Sequence, residues 1–170
     1  MNPVYVYVSI GSNVRPVSNV RTSLDALRKT FGALAVSPVY RSRAVGFDGE
    51  DFINLVVGFE TDLAPAALAD RLRELESAQG RVRDQGKFSA RTLDLDILTY
   101  GDECIDEGRL QIPRDEITRY AFVLRPLADL APDAVHPQLG QSYRALWQAF
   151  DDAGQDMQQI TLDQVTDGRS

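Results

Sequence analysis

Two aspartates, Asp94 and Asp96, alternate with apolar residues in the stretch LDLDIL, Leu93 to Leu98. An ionised carboxylate is costly to remove from water unless cations or donors meet it. On a strand, residues at i and i+2 share a face. The pair therefore projects together, while Leu93, Leu95 and Ile97 turn into the core. Two carboxylates on one face repel unless a positive charge lies between them. All-oxygen coordination suits magnesium, which commonly takes one or two carboxylates, several waters and substrate phosphates.

Just upstream, Arg81, Arg83, Lys87 and Arg91 stand against a single acid, Asp84. Arginine forks match phosphate oxygens bidentately. Metal and phosphate thus form one joint hypothesis. The alternative at this point is a strand whose charged residues simply face solvent. Neither G-x-x-x-x-G-K-[ST] nor G-x-G-x-x-G occurs, so a phosphoryl-transfer site would be built from side chains. His136, the sole histidine, reads as a loop or packing residue, and one His with one Cys makes zinc chemistry unlikely. Cys104 reads as a small packing residue. Phe52, Phe88 and Phe122 lie near the polar candidates Asn54, Arg91 and Arg119. An amide among aromatics can clamp a flat heterocycle, though core packing is the default for any Phe.

The 170 residues, 44% of them hydrophobic and 25% charged, suit one domain with a real core. A net charge of −7 argues against a general nucleic-acid binder. Sixteen of the 18 basic residues are arginine, which chiefly reflects a high-GC codon bias. No signal peptide or membrane-length apolar run is evident, and one cysteine forbids an intrachain disulfide. The expected location is the cytoplasm, with no membrane partner.

Val4 to Ile10 is the strongest strand signal and ends at the Gly11-Ser12-Asn13 turn. Ser18 is placed to cap a helix over about 19–31. Leu34 to Tyr40 and Phe52 to Glu60 read as strands, separated by the polar loop 41–51. Pro65 opens a helix over about 64–79. After the loop from Gln79 to Ala90 comes the strand Leu93 to Tyr100, and a short helix is expected near Tyr120 to Leu130. The order β-α-β-β-α-β is the ferredoxin-like unit. The expected fold class is α+β: an antiparallel sheet with two helices on one face, plus C-terminal additions. The weakly patterned acidic tail, beyond about 155, is expected to be mobile.

Arg91-Thr92-Leu93-Asp94-Leu95-Asp96-Ile97-Leu98 resembles the signature of the 6-hydroxymethyl-7,8-dihydropterin pyrophosphokinases of the folate pathway. Ser9-Ile10-Gly11-Ser12-Asn13, Tyr40-Arg41-Ser42, Asp51-Phe52-Ile53-Asn54, Glu76 with Gln79 to Arg83, and Ala121-Phe122-Val123-Leu124 resemble other parts of that family. The resemblance runs from about Val4 to Pro137 and implies a ferredoxin-like fold. It implies diphosphate transfer from ATP, the co-substrate, to the hydroxymethyl oxygen of the pterin, releasing AMP.

Under the resemblance, Asp94 and Asp96 bind two magnesium ions and, with Arg83 and Arg91, make up the catalytic set. The nucleotide side comprises Glu76, Arg83, Lys87, Arg91, Ile97, Arg109, Arg114 and Arg119. The pterin side comprises Ser42, Val45, Phe52, Asn54, Phe88, Asp94 and Phe122. The loops 41–51 and 80–91 would close over the substrates.

Departures from the family pattern gather at the nucleotide side. Arg114 stands where the family usually has His after Pro113, and Asp115 where Tyr is frequent. Tyr120 replaces an arginine, with Arg119 one residue earlier. Phe88 replaces a tryptophan, Ser89-Ala90 a Gly-Pro pair, and Asp84 a frequent basic residue. These changes leave a second expectation beside the active enzyme: a divergent paralogue that binds pterin or nucleotide with weak or no transfer. A third is a ferredoxin-like interaction domain whose aspartates are solvated, against which the density of matches argues. Whether the chain acts as a monomer or a dimer is not legible.

Overall fold

The computed structural model describes residues 3–42, 51–78 and 93–162. β1 (Val4–Ser12) leads into α1 (Pro16–Phe31), and the chain returns through β2 (Ala35–Val36), β3 (Val39–Ser42) and β4 (Phe52–Thr61). α2 (Pro65–Ala78) precedes β5 (Asp94–Tyr100). A small hairpin follows, of β6 (Ile105–Glu107) and β7 (Leu110–Ile112), then a 3-10 turn over Asp115–Thr118. α3 (Ala121–Leu130), α4 (Tyr143–Gln148) and β8 (Met157–Ile160) complete the order.

The main sheet runs β5-β1-β4-β3-β8, with β2 pairing β4 ahead of β3. All pairings are antiparallel. Taking β2 and β3 as one interrupted strand, the first four positions have the ferredoxin-like arrangement expected from the element order. The interruption lies at Ser37-Pro38. Pro38 has no N–H for the ladder, and beside it Ser37 Oγ takes the place of a backbone acceptor for the Val56 N–H at 2.9 Å.

β4 reads INLVVGF because it is central and covered on both faces. Ile53, Leu55, Val57 and Phe59 join Val6, Val8, Ile10, Leu95 and Ile97 in the larger core, under Val20, Leu24 and Leu27 of α1 and Leu68 and Leu72 of α2. Val56 and Leu98 point the other way, into a second core with Val123, Leu124 and Leu127 of α3 and with Tyr143. α1 and α2 thus share one face of the sheet, as expected, and the C-terminal additions α3 and α4 cover the other. The third helix is short, and its strand partners are few and scattered in sequence, so the second layer is not signalled by any one run.

Other expectations need correction. α1 begins at Pro16, not after Ser18. Pro16 presets a helical φ at the first turn, and Arg15 before it turns left-handed at φ 44°. Cys104 is exposed, not packed. The tail read as weakly patterned supplies β8, which pairs Met157 with Ser42 and Ile160 with Val39. Its sequence, MQQI, buries only Ile160, so the alternation that marks a strand is faint.

Candidate active site

Strand register assembles the site face. Asp94 pairs with Gly11 on β1, Gly11 with Asn54 on β4, and Asn54 with Tyr40 on β3. These four residues form one row across the sheet. Directly paired residues share a face, and so do positions two apart. Asp96 opposite Ser9, and Phe52 opposite Ser42, extend the same face by one step in each direction. The expectation for Asp94 and Asp96 holds: both are half-buried on this face, while Leu95 and Ile97 are buried in the larger core behind it.

The row is tightly fitted at its centre. Asn54 is 9% exposed, and its Nδ2 is buried with no hydrogen-bond partner among the described residues. A buried amide donor left unmade is unfavourable unless a ligand supplies the acceptor. Gly11 makes room for this side chain, since a Cβ there would lie 2.7 Å from Asn54 Oδ1. On the far side, Tyr40 donates its hydroxyl to Asp129 of α3, and the Arg125 guanidinium lies 5.6 Å from its ring. Burial, reinforced by Asp129, pushes the Tyr40 hydroxyl up to about 12, so it remains a donor.

At the aspartate end, Glu76 of α2 is 3% exposed, and its Oε2 accepts the Leu95 N–H at 2.7 Å. Leu95 lies between the two aspartates, so Glu76 fixes the backbone that spaces them. After a cis Ile112–Pro113 peptide, the Arg114 N–H donates to Leu98 O at 3.0 Å. Arg114 then holds Glu116 Oε1 through Nε at 2.8 Å, and its Nη1 lies 4.0 Å from Asp96 Oδ1. Burial pushes the Asp96 carboxyl up to about 6. Arg114 pulls it down, and the negative neighbours Asp94, Glu116 and Glu76 push it up again. The guanidinium of Arg114 is itself opposed by burial and held charged by Asp96, Glu116 and Asp115.

The remaining candidates are distributed as follows. Phe122, near the start of α3, is half-buried and stacks on Tyr120 with centroids 5.1 Å apart. The Arg119 guanidinium lies 5.6 Å from the Tyr120 ring and 3.2 Å from Asp115. Gln155 takes the Ala121 N–H at 2.8 Å, tying the tail to the first turn of α3. Arg109 is exposed in the turn between β6 and β7. Ile97 turns its side chain away from this face, so only its backbone is offered to a ligand there. Val45, Arg83, Lys87, Phe88 and Arg91 lie outside the described residues, as do most of the two loops expected to close.

The donor set fits a hard cation. Among the described residues no group of three or more His, Cys, Asp or Glu gathers around one point. Of the described residues, the aspartate pair would be the protein's share of a metal shell. Phosphate and water would complete it, which is the habit of magnesium. Crowded negative charge at Asp96 gives such a cation something to relieve.

A family model for 7,8-dihydro-6-hydroxymethylpterin-pyrophosphokinase matches residues 7–132. The chain belongs to this family. A pyrophosphokinase of Pseudomonas aeruginosa, named for 2-amino-4-hydroxy-6-hydroxymethyldihydropteridine, is 46% identical over 132 residues, 75% of this chain and 81% of the relative. A Haemophilus influenzae protein of the same name is 38% identical over 138 residues, covering 79% and 86%. The fold of a solved Plasmodium falciparum HPPK-DHPS with pterin and p-hydroxybenzoate matches with a TM-score of 0.70 at 15% identity, over 87% of this chain and 42% of that one. A solved HPPK-DHPS complex with substrates gives 0.71 at 13% identity, over 88% and 43%. The chain spans less than half of either solved chain, and at these identities the likeness is one of fold.

Sequence reasoning missed Gly11 as a site residue, and with it Tyr40 and Glu116. Gly11 was visible only as a turn signal at the end of a strand. Its partnership with Asn54 depends on register between segments more than 40 positions apart, for which one sequence carries no sign.

Proposed function

We propose that the pyrophosphokinase transfers diphosphate from ATP to the hydroxymethyl oxygen of 6-hydroxymethyl-7,8-dihydropterin and releases AMP. The observation that carries this reading is the single row Asp94–Gly11–Asn54–Tyr40. It sets a carboxylate pair and an unspent buried amide donor on one face, separated by a strand without a side chain at that point.

Asn54 offers its Nδ2 to an acceptor on the pterin edge. Phe52, on the same strand face, and Phe122, from α3, flank the ring, with Ser42, Val45 and Phe88 around it. The ring would supply the partner that this donor lacks among the described residues. Asp94 and Asp96 would hold two magnesium ions, which supply charge neutralisation for the triphosphate and alignment of the attack on the β-phosphorus. Arg83, Arg91 and Lys87 hold phosphate oxygens. Arg109, Arg114 and Arg119 stand on the nucleotide side with the backbone of Ile97. Glu76 acts from behind by fixing Leu95. The hydroxymethyl oxygen attacks in line, and the bond to the leaving AMP breaks.

A second reading has a specific observation in its favour. The Arg114 guanidinium already lies beside Asp96, where it answers part of the charge that a metal would answer. A protein that binds pterin without transfer would look the same at this point. Pterin-dependent AMP formation by the wild type separates the two readings, and Asp96→Ala then tests the metal role. The variant is expected to keep the fold, since the Asp96 side chain is 38% exposed, and to abolish pterin-dependent AMP formation. Near-normal turnover in a folded variant would remove the metal role.

A further inference from the structure

Glu116 makes the shorter of the two ion pairs of Arg114. Its distance of 2.8 Å contrasts with 4.0 Å to Asp96, the outer edge of an ion pair. Both partners are partly withdrawn from water, with about a third of each side chain exposed. The position of the guanidinium is further limited by its backbone, whose N–H is fixed to Leu98 O on β5. Among the described residues, the charges facing this point are Asp94 and Asp96 from β5, Glu76 from α2, and Asp115 and Glu116 from the 3-10 turn. Arg114 is the cation among them whose ion pairs link the turn to β5.

We propose that Arg114 is a resident counter-cation which competes with the divalent metal for Asp96, and that Glu116 is the positioning residue which holds it off. This inference rests on the metal reading of the aspartate pair. Shared between two carboxylates, Arg114 lowers the repulsion at Asp96 without saturating it. A metal arriving at Asp96 meets a guanidinium that already has an alternative anion at hydrogen-bonding distance. Without Glu116, the guanidinium has Asp96 as its nearest acceptor and blocks it. Without Arg114, the carboxylate pair is open to metal and repels more strongly until metal binds.

The test is direct binding of Mn2+ alone, read from the loss of the free-ion electron paramagnetic resonance signal, in wild type, Arg114→Gln, Glu116→Gln and the double variant. Exposed ion pairs change an equilibrium by about fivefold or less. Arg114→Gln is expected to tighten Mn2+ about fivefold, and Glu116→Gln to weaken it severalfold. In the Arg114→Gln background, Glu116→Gln should have little further effect, because its action passes through Arg114. A full effect of Glu116→Gln in that background would reduce Glu116 to a nearby charge and overturn its positioning role. Unchanged or weaker Mn2+ binding in Arg114→Gln would overturn the competition. Mn2+ bound equally by wild type and Asp96→Ala would instead overturn the metal reading, and the inference with it. Thermal unfolding of each variant identifies any that fails to fold, and Arg114→Lys, which keeps the charge and loses the fork, should restore near wild-type Mn2+ affinity if charge competition is the cause.

Discussion

Gly11 and Asn54 are register partners on adjacent strands, and the Asn54 amide occupies the space a Gly11 side chain would need. A Cβ at position 11 would come within 2.7 Å of Asn54 Oδ1. The amide proposed to meet the pterin is therefore aimed by an absence on the neighbouring strand.

Gly11→Ala should turn the Asn54 amide aside while leaving the sheet paired. The side chain can rotate away, so the loss of stability is expected to be about 1–2 kcal/mol, in the range of a modest overpacking. The Michaelis constant for the pterin should rise about tenfold, equivalent to about 1.4 kcal/mol, with that for ATP little changed. Steady-state kinetics with each substrate varied in turn would show it. An unchanged pterin constant would mean that Asn54 is not aimed by Gly11.

Glu76→Ala should loosen the backbone between the aspartates. It leaves the Leu95 N–H without its acceptor on the edge strand, at about 1–3 kcal/mol. Glu76→Gln keeps an oxygen there and should recover most of the loss. Melting temperatures of the pair, beside their transfer rates, distinguish a bracing role from a charge effect. If Glu76→Gln were as unstable as Glu76→Ala, the hydrogen bond would not be the cause.

Asp96→Asn should stabilise the protein in the presence of a chelator at pH 7. In the fold, burial and neighbouring acids raise Asp96 from 3.8 to about 6. The native state thus favours the protonated form more than the unfolded state does, and this group's contribution is lost as pH rises through about 6. A neutral Asn escapes that loss. A two-unit shift corresponds to at most about 3 kcal/mol, and solvent around a side chain that is 38% exposed reduces it to about 1 kcal/mol. The gain should shrink as pH is lowered toward 4. A gain that persisted undiminished at pH 4 would place its origin elsewhere.

His136 should make the fold acid-sensitive in the opposite sense. It is 4% exposed, and its Nδ1 accepts the N–H groups of Gln138 and Leu139, both at 3.2 Å. Burial lowers its affinity for a proton below the ordinary 6.5. The unfolded state then binds more protons than the native state, so stability falls as pH drops below 6.5 and levels off below the native value. Replacing His136 with Asn, whose side-chain oxygen can accept the same N–H groups, should flatten this dependence between pH 6.5 and 5. A slope unaltered in the variant would assign it to other groups.

Much of this architecture was legible from residue pattern. VYVYVSI on β1, the alternation LDLDIL on β5 and Pro65 at the start of α2 each mark their elements locally, and all three were placed within a few residues. The same-face placement of Asp94 and Asp96 follows from a period of two. What escaped depends on partners distant in sequence. The second helical layer exists because Val56 and Leu98 share a face with α3, and β8 exists because β3 has a free edge for a mostly polar strand. The split at Ser37-Pro38 needs a side chain to stand in for a backbone acceptor. Site residues divided along the same line. Asn54 and the aspartates carried their own signals, whereas Gly11, Tyr40 and Glu116 gain theirs only from what stands opposite.

The most direct measurement is product formation by the unaltered protein with ATP, magnesium and 6-hydroxymethyl-7,8-dihydropterin, with AMP followed by chromatography. The account predicts AMP in step with pterin consumed, and none when either the pterin or magnesium is left out. No AMP from a protein that calorimetry shows to bind both substrates would contradict it, and would make the chain a binder that has kept the face described here without the transfer.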